Sequence, residues 1–185
     1  MALITDTELL FELRQVVAPD LKSLDQHIRT HLDSNVPLIN TISDHIIQSG
    51  GKRLRPLLVL LSAKTCLYDG EDHIRLATII EFLHTATLLH DDVVDESTQR
   101  RHKPTANHLF GNAASILVGD FLYSRAFQMM VLHNNMAVMA VLADATNTIA
   151  EGEVLQLFHQ GQQELSEKDY YQVIGYKTAK LFEAA

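Results

Sequence analysis

Three carboxylates stand at the end of an apolar segment, in the sequence H-D-D-V-V-D. If residues 76–97 are helical, Asp91, Asp92 and Asp95 fall at positions i, i+1 and i+4, and all three point towards one side. Like charges at that spacing repel, and carboxylates in a last turn oppose the negative end of the helix dipole. A cation offsets both penalties, and oxygen donors without a nearby cysteine favour Mg²⁺, which binds carboxylates together with substrate phosphates. The spacing therefore predicts a magnesium site for a phosphate ester or diphosphate.

A second charged segment, G-G-K-R-L-R-P at residues 50–56, precedes an apolar helical run. Lys52, Arg53 and Arg55 follow two glycines, which let the backbone approach an anion closely. Amides at a helix start and fixed cations together bind phosphate. Each segment alone also has a structural interpretation, as a solvated helix end for the aspartates and as a loop with surface cations for residues 50–56, because short motifs match by chance. Their occurrence in one chain favours a phosphate-binding site.

Composition favours one helical domain over residues 1–185. The chain has eight Gly, four Pro and no Trp, with long stretches rich in Leu, Ile, Ala and Met and no alternating run typical of a sheet, which predicts an all-α fold. The net charge of −8 argues against a nucleic-acid partner. Affinity for an anionic substrate must therefore come from local cationic clusters and metal.

Cysteine usage and hydropathy address the compartment. Cys66 is the single cysteine, which excludes an internal disulfide, and within an apolar helix we expect it to be a small buried side chain. The apolar runs are shorter than the roughly 18 residues of a membrane span, and no signal sequence opens the chain. These features predict a cytoplasmic protein without a transmembrane segment.

The apolar periodicity and the helix-breaking residues predict the helices that position both charged segments. Asn134-Asn135 marks a break between two long helices, and Ser166 with Asp169 is typical of a capped helix start. The predicted helices cover residues 5–17, 20–33, 37–49, 55–68, about 72–97, 112–133, 136–160 and 166–177.

Six sequence elements carry a family resemblance, because they occur together and in the family's order. They are G-G-K-R-L-R-P at 50–56, E-F-L-H-T-A-T-L-L-H-D-D-V-V-D at 81–95, R-R at 100–101, G-D-F-L at 119–122, E-G-E-V-L-Q at 151–156 and K-T-A at 177–179. From about residue 38 to its last residue the chain resembles the trans-isoprenyl diphosphate synthases, within them the long-chain, octaprenyl-forming type. The resemblance implies an antiparallel helical bundle of the isoprenoid synthase type.

The resemblance also implies an activity and the residues that perform it. The activity is the Mg²⁺-dependent condensation of isopentenyl diphosphate with an allylic diphosphate such as farnesyl diphosphate, giving a long all-trans chain for quinone side chains, in a homodimer. The residues implied for isopentenyl diphosphate are Lys52, Arg55, His84 and Arg101; those for the metal and the allylic diphosphate are Asp91, Asp92 and Asp95, with Arg100, Lys177 and Thr178.

The chemistry requires these residue types. An allylic diphosphate ionises to an allyl cation and pyrophosphate, so cations must neutralise the leaving group while apolar walls exclude water. His84 lies two helical turns before Asp91 and thus on the metal face, although a lone histidine is more often structural. His90 has no such support and is interpreted as structural.

Product length is expected to depend on residues just before the aspartates. Ala86 and Thr87 lie about one turn before Asp91, where short-chain family members place a bulky ring. Since neither is aromatic, we expect an open tunnel and a long product. Further tunnel candidates, for each of which ordinary core is the more frequent role, are Leu83, Phe127, Met130 and Met136.

Two departures from the family pattern affect these expectations. His102 stands where members usually have glycine after the arginine pair, so it must tolerate a positive φ or the loop must differ. The second aspartate-rich motif of the family is absent before Ala185. We therefore expect the first part of a synthase, without its C-terminal helices and poorly active alone. A non-catalytic partner subunit and a terpene cyclase are the alternatives, and the second cationic segment argues against the cyclase.

Overall fold

The structure is a computed structural model, and it describes residues 6–48, 50–161 and 164–185. Within these ranges nearly all regular structure is helical, and the strands are only β1 (Gln99–Arg100) and β2 (Lys103–Pro104), paired antiparallel. The all-α prediction is confirmed. The helices are α1 (Asp6–Val16), α2 (Ala18–Leu32), α3 (Pro37–Gln48), α4 (Leu54–Thr65), α5 (Asp72–Val94), α6 (Ala106–Phe110), α7 (Asn112–His133), α8 (Met136–His159), α9 (Glu167–Ile174) and α10 (Lys180–Glu183), with a π-helical turn at Gly175–Ala179.

The chain divides into two compact units, Met1–Met129 and Met130–Ala185, with the boundary inside α7. The expectation of one domain stays a prediction. In the first unit α5 is the central helix, because both α2 and α4 pack against it. Its buried side chains lie all round the helix rather than on one stripe, as expected of a helix enclosed by neighbours.

The end of α4 differs from the sequence prediction. The helix ends at Thr65, because Leu67 adopts a left-handed conformation with φ 54° and the N–H of Tyr68 bonds back to the carbonyl of Ala63 at 2.9 Å. This is the Schellman arrangement, which usually has glycine at the left-handed position. Sequence interpretation placed the end at residue 68 because leucine carries no such signal.

Cys66 is a consequence of that early end. It caps α4 instead of lying inside it, and its side chain is exposed. The expectation of a buried cysteine was therefore wrong.

The helix that carries the aspartates ends in the same way. α5 stops at Val94 rather than at residue 97, and Glu96 is left-handed with φ 50°. The N–H of Ser97 then bonds to the carbonyl of Asp92 at 2.9 Å. Asp95 is consequently the capping residue of α5 and not part of its body.

A two-residue turn connects the short strands. Arg101 and His102 both have positive φ, 53° and 63°, the pattern of a type I′ hairpin turn. His102 therefore adopts the positive φ that its glycine-like position required. The turn reverses the chain directly after Arg100.

The second unit confirms several predicted boundaries. Asn135 caps α8 by accepting from the N–H groups of Ala137 and Val138 at 3.0 and 3.2 Å. Ser166 accepts from the N–H of Asp169 at 3.1 Å at the start of α9. The predicted helix from Ser166 to Lys177, however, changes to π-helical winding at residue 175. Among the described residues, no helix is both long enough and apolar enough to cross a bilayer.

Candidate functional site

The loop of the charged segment at residues 50–56 contacts the hairpin turn, because Gly51 lies against the side chain of Arg101. A Cβ atom at Gly51 would lie 2.4 Å from Nη1 of Arg101, so a side chain here would require the flexible end of this arginine to move. Gly50 precedes it with φ 65°, a conformation that favours glycine. Both glycines of the segment are thus explained by the path of the chain and by the close approach of Arg101.

Arg55 and His84 form the next contact. Nη1 of Arg55 lies 3.2 Å from Nε2 of His84. Because a guanidinium only donates, Nε2 accepts, and the ring proton of His84 is on Nδ1. Burial, and then the charges of Arg55, Arg101 and Arg100, lower the pKa of His84 to about 3. His84 is therefore neutral at physiological pH and orients Arg55 without adding positive charge.

These contacts form one group. Arg55 contacts His84 directly, and the charges of Arg55 and Arg101 both lower the pKa of that ring. We call Gly51, Arg55, His84 and Arg101 the cationic cradle. Lys52, the remaining residue predicted for this site, has an exposed side chain, and its carbonyl accepts from Nη1 of Arg14 at 3.0 Å.

Sequence interpretation missed one residue of this region, Glu81. Its side chain is only 18% exposed, and its Oε1 lies 3.9 Å from Nε of Arg53. Burial raises the pKa of Glu81, while the charges of Arg53, Arg55 and Arg101 lower it. Glu81 lies one helical turn before His84, so the i, i+3 spacing on α5 was the available signal.

Arg53 connects the loop to α2. It is left-handed, with φ 45°, and its guanidinium forms an ion pair with Asp25 as well as approaching Glu81. Its side chain is 19% exposed. Arg53 thus carries two carboxylate contacts at the start of α4.

The middle aspartate of the triad is already engaged. Asp92 is 4% exposed, and its Oδ1 accepts from Nε and Nη2 of Arg100 at 3.0 and 2.8 Å. Its carbonyl also accepts from the side-chain amide of Asn107 at 2.9 Å. Asp92 therefore fixes Arg100. Its carboxylate oxygen Oδ1 can bind a metal ion only after it releases this guanidinium.

The outer two aspartates lie in a different environment. Asp91 is half-buried and Asp95 is exposed, and the N–H of Asp95 bonds to the carbonyl of Asp91 at 2.7 Å, which keeps the two residues one turn apart. In the described part of the chain no three His, Cys, Asp or Glu side chains are close enough together to hold a metal ion. The oxygen donors of Asp91 and Asp95 nevertheless fit a hard divalent cation that keeps most of its waters.

His90 has a structural environment, as its interpretation required. Its Nε2 lies 3.2 Å from the carbonyl of Ile116 and 3.3 Å from Oδ1 of Asp120. A Cβ at Gly119 would lie 2.4 Å from the same nitrogen. The glycine of G-D-F-L therefore makes room for His90, which connects α5 to α7 directly beside Asp91.

The predicted chain-length residues lie where α5 passes through the core. Ala86 is completely buried, and Thr87 is half-buried with its hydroxyl donating to the carbonyl of His84 at 2.8 Å. Of the further tunnel candidates, Leu83 and Met130 are buried, Phe127 is half-buried, and Met136 is 75% exposed.

Lys177 and Thr178 belong to the second unit. Both lie on the π-helical turn, and Nζ of Lys177 donates to Oε2 of Glu153 at 2.7 Å. A Cβ at Gly152 would lie 2.8 Å from the backbone nitrogen of Lys177. The E-G-E element therefore supplies both the space for this turn and the carboxylate that holds its lysine. Single π-helical turns are frequent at functional sites.

Comparison with known proteins places these features in context. The polyprenyl synthetase family matches residues 36–185. The chain is 50% identical over 174 residues to the octaprenyl diphosphate synthase of Haemophilus influenzae, covering 94% of this chain and 53% of the relative. It is 48% identical over 170 residues to an all-trans-nonaprenyl-diphosphate synthase of Rhodobacter capsulatus, covering 91% and 52%.

Solved structures agree in fold. A decaprenyl diphosphate synthase from Rhodobacter capsulatus superposes with a TM-score of 0.92 at 49% identity, over 95% of this chain and 54% of that one. A polyprenyl synthase from Caulobacter crescentus, complexed with calcium and isoprenyl diphosphate, gives a TM-score of 0.92 at 44% identity, over 95% and 53%. The chain thus spans about half the length of the relatives it matches. The predicted helical fold of the isoprenoid synthase type is confirmed.

Proposed function

We propose that this chain, which belongs to the polyprenyl synthetase family, provides the isopentenyl diphosphate site and half of the allylic site of a long-chain prenyl transferase. The observation that carries the proposal is the cationic cradle. Nη1 of Arg55 contacts the neutral ring of His84, and Gly51 lets the guanidinium of Arg101 approach the backbone closely. Fixed guanidinium groups of this kind bind diphosphate with charge-assisted hydrogen bonds.

The reaction would proceed by ionisation and addition. The C1–O bond of the allylic diphosphate breaks, pyrophosphate leaves with the electron pair, and the double bond of isopentenyl diphosphate adds to C1 of the allyl cation. Loss of a proton from C2 of the isopentenyl unit restores a double bond and gives a chain one isoprene unit longer. Arg55 and Arg101, with Lys52 at the surface, would hold isopentenyl diphosphate while His84 orients Arg55. When both substrates are already bound in attack geometry, the entropy loss of a bimolecular encounter no longer adds to the barrier of the chemical step.

Asp91 and Asp95 are the residues we propose to hold Mg²⁺. A divalent ion bound there supplies the positive charge that neutralises the leaving diphosphate. Asp92 would serve this site mainly by aiming Arg100 at the same diphosphate, since its carboxylate is occupied by that guanidinium. For Lys177 and Thr178, the family resemblance supports a role in binding the allylic diphosphate. The calcium and isoprenyl diphosphate named for the Caulobacter crescentus structure support this kind of chemistry.

Ala86 and Thr87 support a long product. Neither presents a ring, so the isoprenoid chain is not stopped one turn from the metal. The similarity to octaprenyl diphosphate synthases favours octaprenyl as the product and quinone side chains as its use. A homodimer is proposed from the family resemblance alone.

Labelled isopentenyl diphosphate, farnesyl diphosphate and Mg²⁺ test the proposal. The chain should be assayed alone, and joined to the remaining half of the Haemophilus influenzae octaprenyl diphosphate synthase. We expect long-chain product from the joined protein and little from the 185 residues alone. Product in excess of what a complete synthase forms by itself, seen only after mixing the two chains, would identify a partner subunit instead. Absence of product in every arm would refute the proposal.

A further inference from the structure

The loop residues 50–53 lead into α4 and include Lys52. At one end of the loop the N–H of Gly50 bonds to the carbonyl of Ile47 at 3.1 Å. At the other end the carbonyl of Arg53 accepts from the N–H of Leu57 at 3.0 Å, in the first turn of α4. The peptide that joins Lys52 to Arg53 lies between these two bonds, so its orientation decides how the chain enters the helix.

Arg53, the residue before α4, has a strained backbone. Its φ of 45° lies in the left-handed region, which favours glycine because a Cβ atom is crowded there. A residue with a side chain keeps such a conformation only where neighbouring groups hold it. Contacts that hold the peptide between Lys52 and Arg53 therefore matter for the shape of the whole loop.

Two helices that precede the loop in the chain supply such contacts. Nη1 of Arg14, on α1, donates to the carbonyl of Lys52 at 3.0 Å, and the carboxylate of Asp25, on α2, forms an ion pair with the guanidinium of Arg53. The first contact fixes the peptide plane, and the second fixes the side chain of the residue that follows it. Both helices lie before residue 36, where the match to the polyprenyl synthetase family begins, and neither Arg14 nor Asp25 belongs to the motifs described above.

We propose that Arg14 and Asp25 are positioning residues that hold the peptide between Lys52 and Arg53, and with it the start of α4, in the conformation that binds the anion. Rotation of this peptide would redirect the side chain of Lys52. It would also shift the first turn of α4, where Arg55 lies. The inference rests on the proposed function only in taking the anion to be a diphosphate.

The charges of the two residues are opposite, which separates positioning from a simple effect of charge. Loss of the positive charge of Arg14 by itself weakens anion binding, whereas loss of the negative charge of Asp25 by itself tightens it. Loss of positioning weakens binding in both cases, because the loop then spends less time in the binding conformation. Substitution of Asp25 therefore distinguishes the two effects by the sign of the change.

The experiment is calorimetric titration of inorganic pyrophosphate, without divalent metal, into the wild-type chain and its variants. We expect Arg14→Ala to weaken binding by about fivefold and Asp25→Asn by about threefold, since both contacts lie near the surface. Arg14→Lys, which keeps a donor and the charge, should recover most of the loss. Arg29→Ala and Asp33→Asn, exposed in α2 and at its end, are the matched controls and should change binding by less than about twofold.

Kinetics of the joined protein give a second readout. Loss of positioning should raise the KM for isopentenyl diphosphate by a similar factor in Arg14→Ala and Asp25→Asn, while kcat stays within about twofold. A merely structural role would instead reduce the amount of folded enzyme, and so lower kcat at unchanged KM. Circular dichroism at 222 nm confirms that each variant keeps its helices.

Equal or tighter pyrophosphate binding by Asp25→Asn would overturn the inference, as would wild-type-like binding by Arg14→Ala. If Arg14→Ala loses its helices, Asp25→Asn decides alone, by the sign of its change. Prenyl transfer with an unaffected KM in both variants would overturn this inference and leave the proposed function standing. Weaker pyrophosphate binding by both variants, without any prenyl transfer by the joined protein, would refute the proposed function and leave this inference standing.

Discussion

The cationic cradle and the aspartate end of α5 are organised to different degrees, although both belong to the first unit. In the cradle, Arg55 contacts a neutral histidine and Arg101 lies against Gly51. At the aspartate end, Asp92 is fixed by Arg100, while Asp91 is half-buried and Asp95 is exposed. The contacts of the cradle come from the chain itself, whereas the end of α5 offers oxygen donors at the negative end of a helix dipole, where a metal cation is favoured.

The difference follows from the local electrostatics of each region. In the cradle, His84 accepts from Arg55, and Gly51 leaves space for the guanidinium of Arg101. Asp91 and Asp95 stand at the negative end of a helix dipole with carboxylates as neighbours, so local electrostatics opposes their gathering. In the proposed site a divalent ion would offset that opposition. We thus expect one diphosphate to bind without metal and the other only with it.

Loss of Asp91 should have the largest effect. Asp91→Asn removes a proposed metal ligand but none of the cradle, so prenyl transfer by the joined protein should fall by about a hundredfold to a thousandfold. Metal-free pyrophosphate binding should not change. Steady-state kinetics and calorimetry check the two parts. Asp69→Asn, an exposed change outside the helices, is the control.

Substitution of Arg55 should affect the cationic cradle rather than the aspartate end of α5. Arg55→Ala removes a guanidinium from the cradle, and metal-free pyrophosphate binding should weaken by about tenfold to a hundredfold. The pKa of His84 should rise from about 3, because one of the positive charges that lower it is gone. It should stay below its ordinary value of 6.5, because burial is the larger cause. Proton NMR titration of the histidine ring measures this shift, and an unchanged pKa would contradict the assigned contact.

A methyl group at Gly51 tests whether the cradle's geometry matters. Gly51→Ala would place a Cβ against the guanidinium of Arg101, whose flexible end must then move. Pyrophosphate binding should weaken by about fivefold while the helical content stays the same. Gly175→Ala, where nothing lies within 4 Å of the added Cβ, is the matched control. Equal affinities of the two variants would show that Arg101 is not held by this contact.

The smallest effect concerns the end of α5. Glu96→Gly relieves a left-handed residue at the helix end but increases the entropy of the unfolded chain, so the net gain in the free energy of unfolding should be about 0.5 kcal/mol. Leu67→Gly, at the equivalent position after α4, should give a similar gain. Urea denaturation measures both. A loss of stability in either variant would contradict the proposed cap.

Much of the helical layout could be predicted from the sequence, because its signals are local. The capped starts at Asn135 and Ser166 and the apolar period of α5 depend on residues a few positions apart. The ends at Leu67 and Glu96 could not, because a residue other than glycine took the left-handed position there.

The site divides in the same way. The residue types and order predicted which cations and carboxylates matter, and Gly51 could be singled out from its place beside them. The contact between Asp92 and Arg100 could not be predicted, because it depends on a hairpin turn that no apolar pattern marks. Glu81 was missed because its i, i+3 spacing to His84 does not by itself separate a site residue from a solvated charge on a helix.

The most direct test of the central claim is calorimetric titration of inorganic pyrophosphate into the unmodified chain, first with EDTA and then with Mg²⁺. If the cradle is built by the chain alone, one binding event is present in EDTA, is weakened about tenfold or more in Arg55→Ala and is unchanged in Asp91→Asn. Binding that is absent in EDTA, or equally sensitive to both substitutions, would contradict the account.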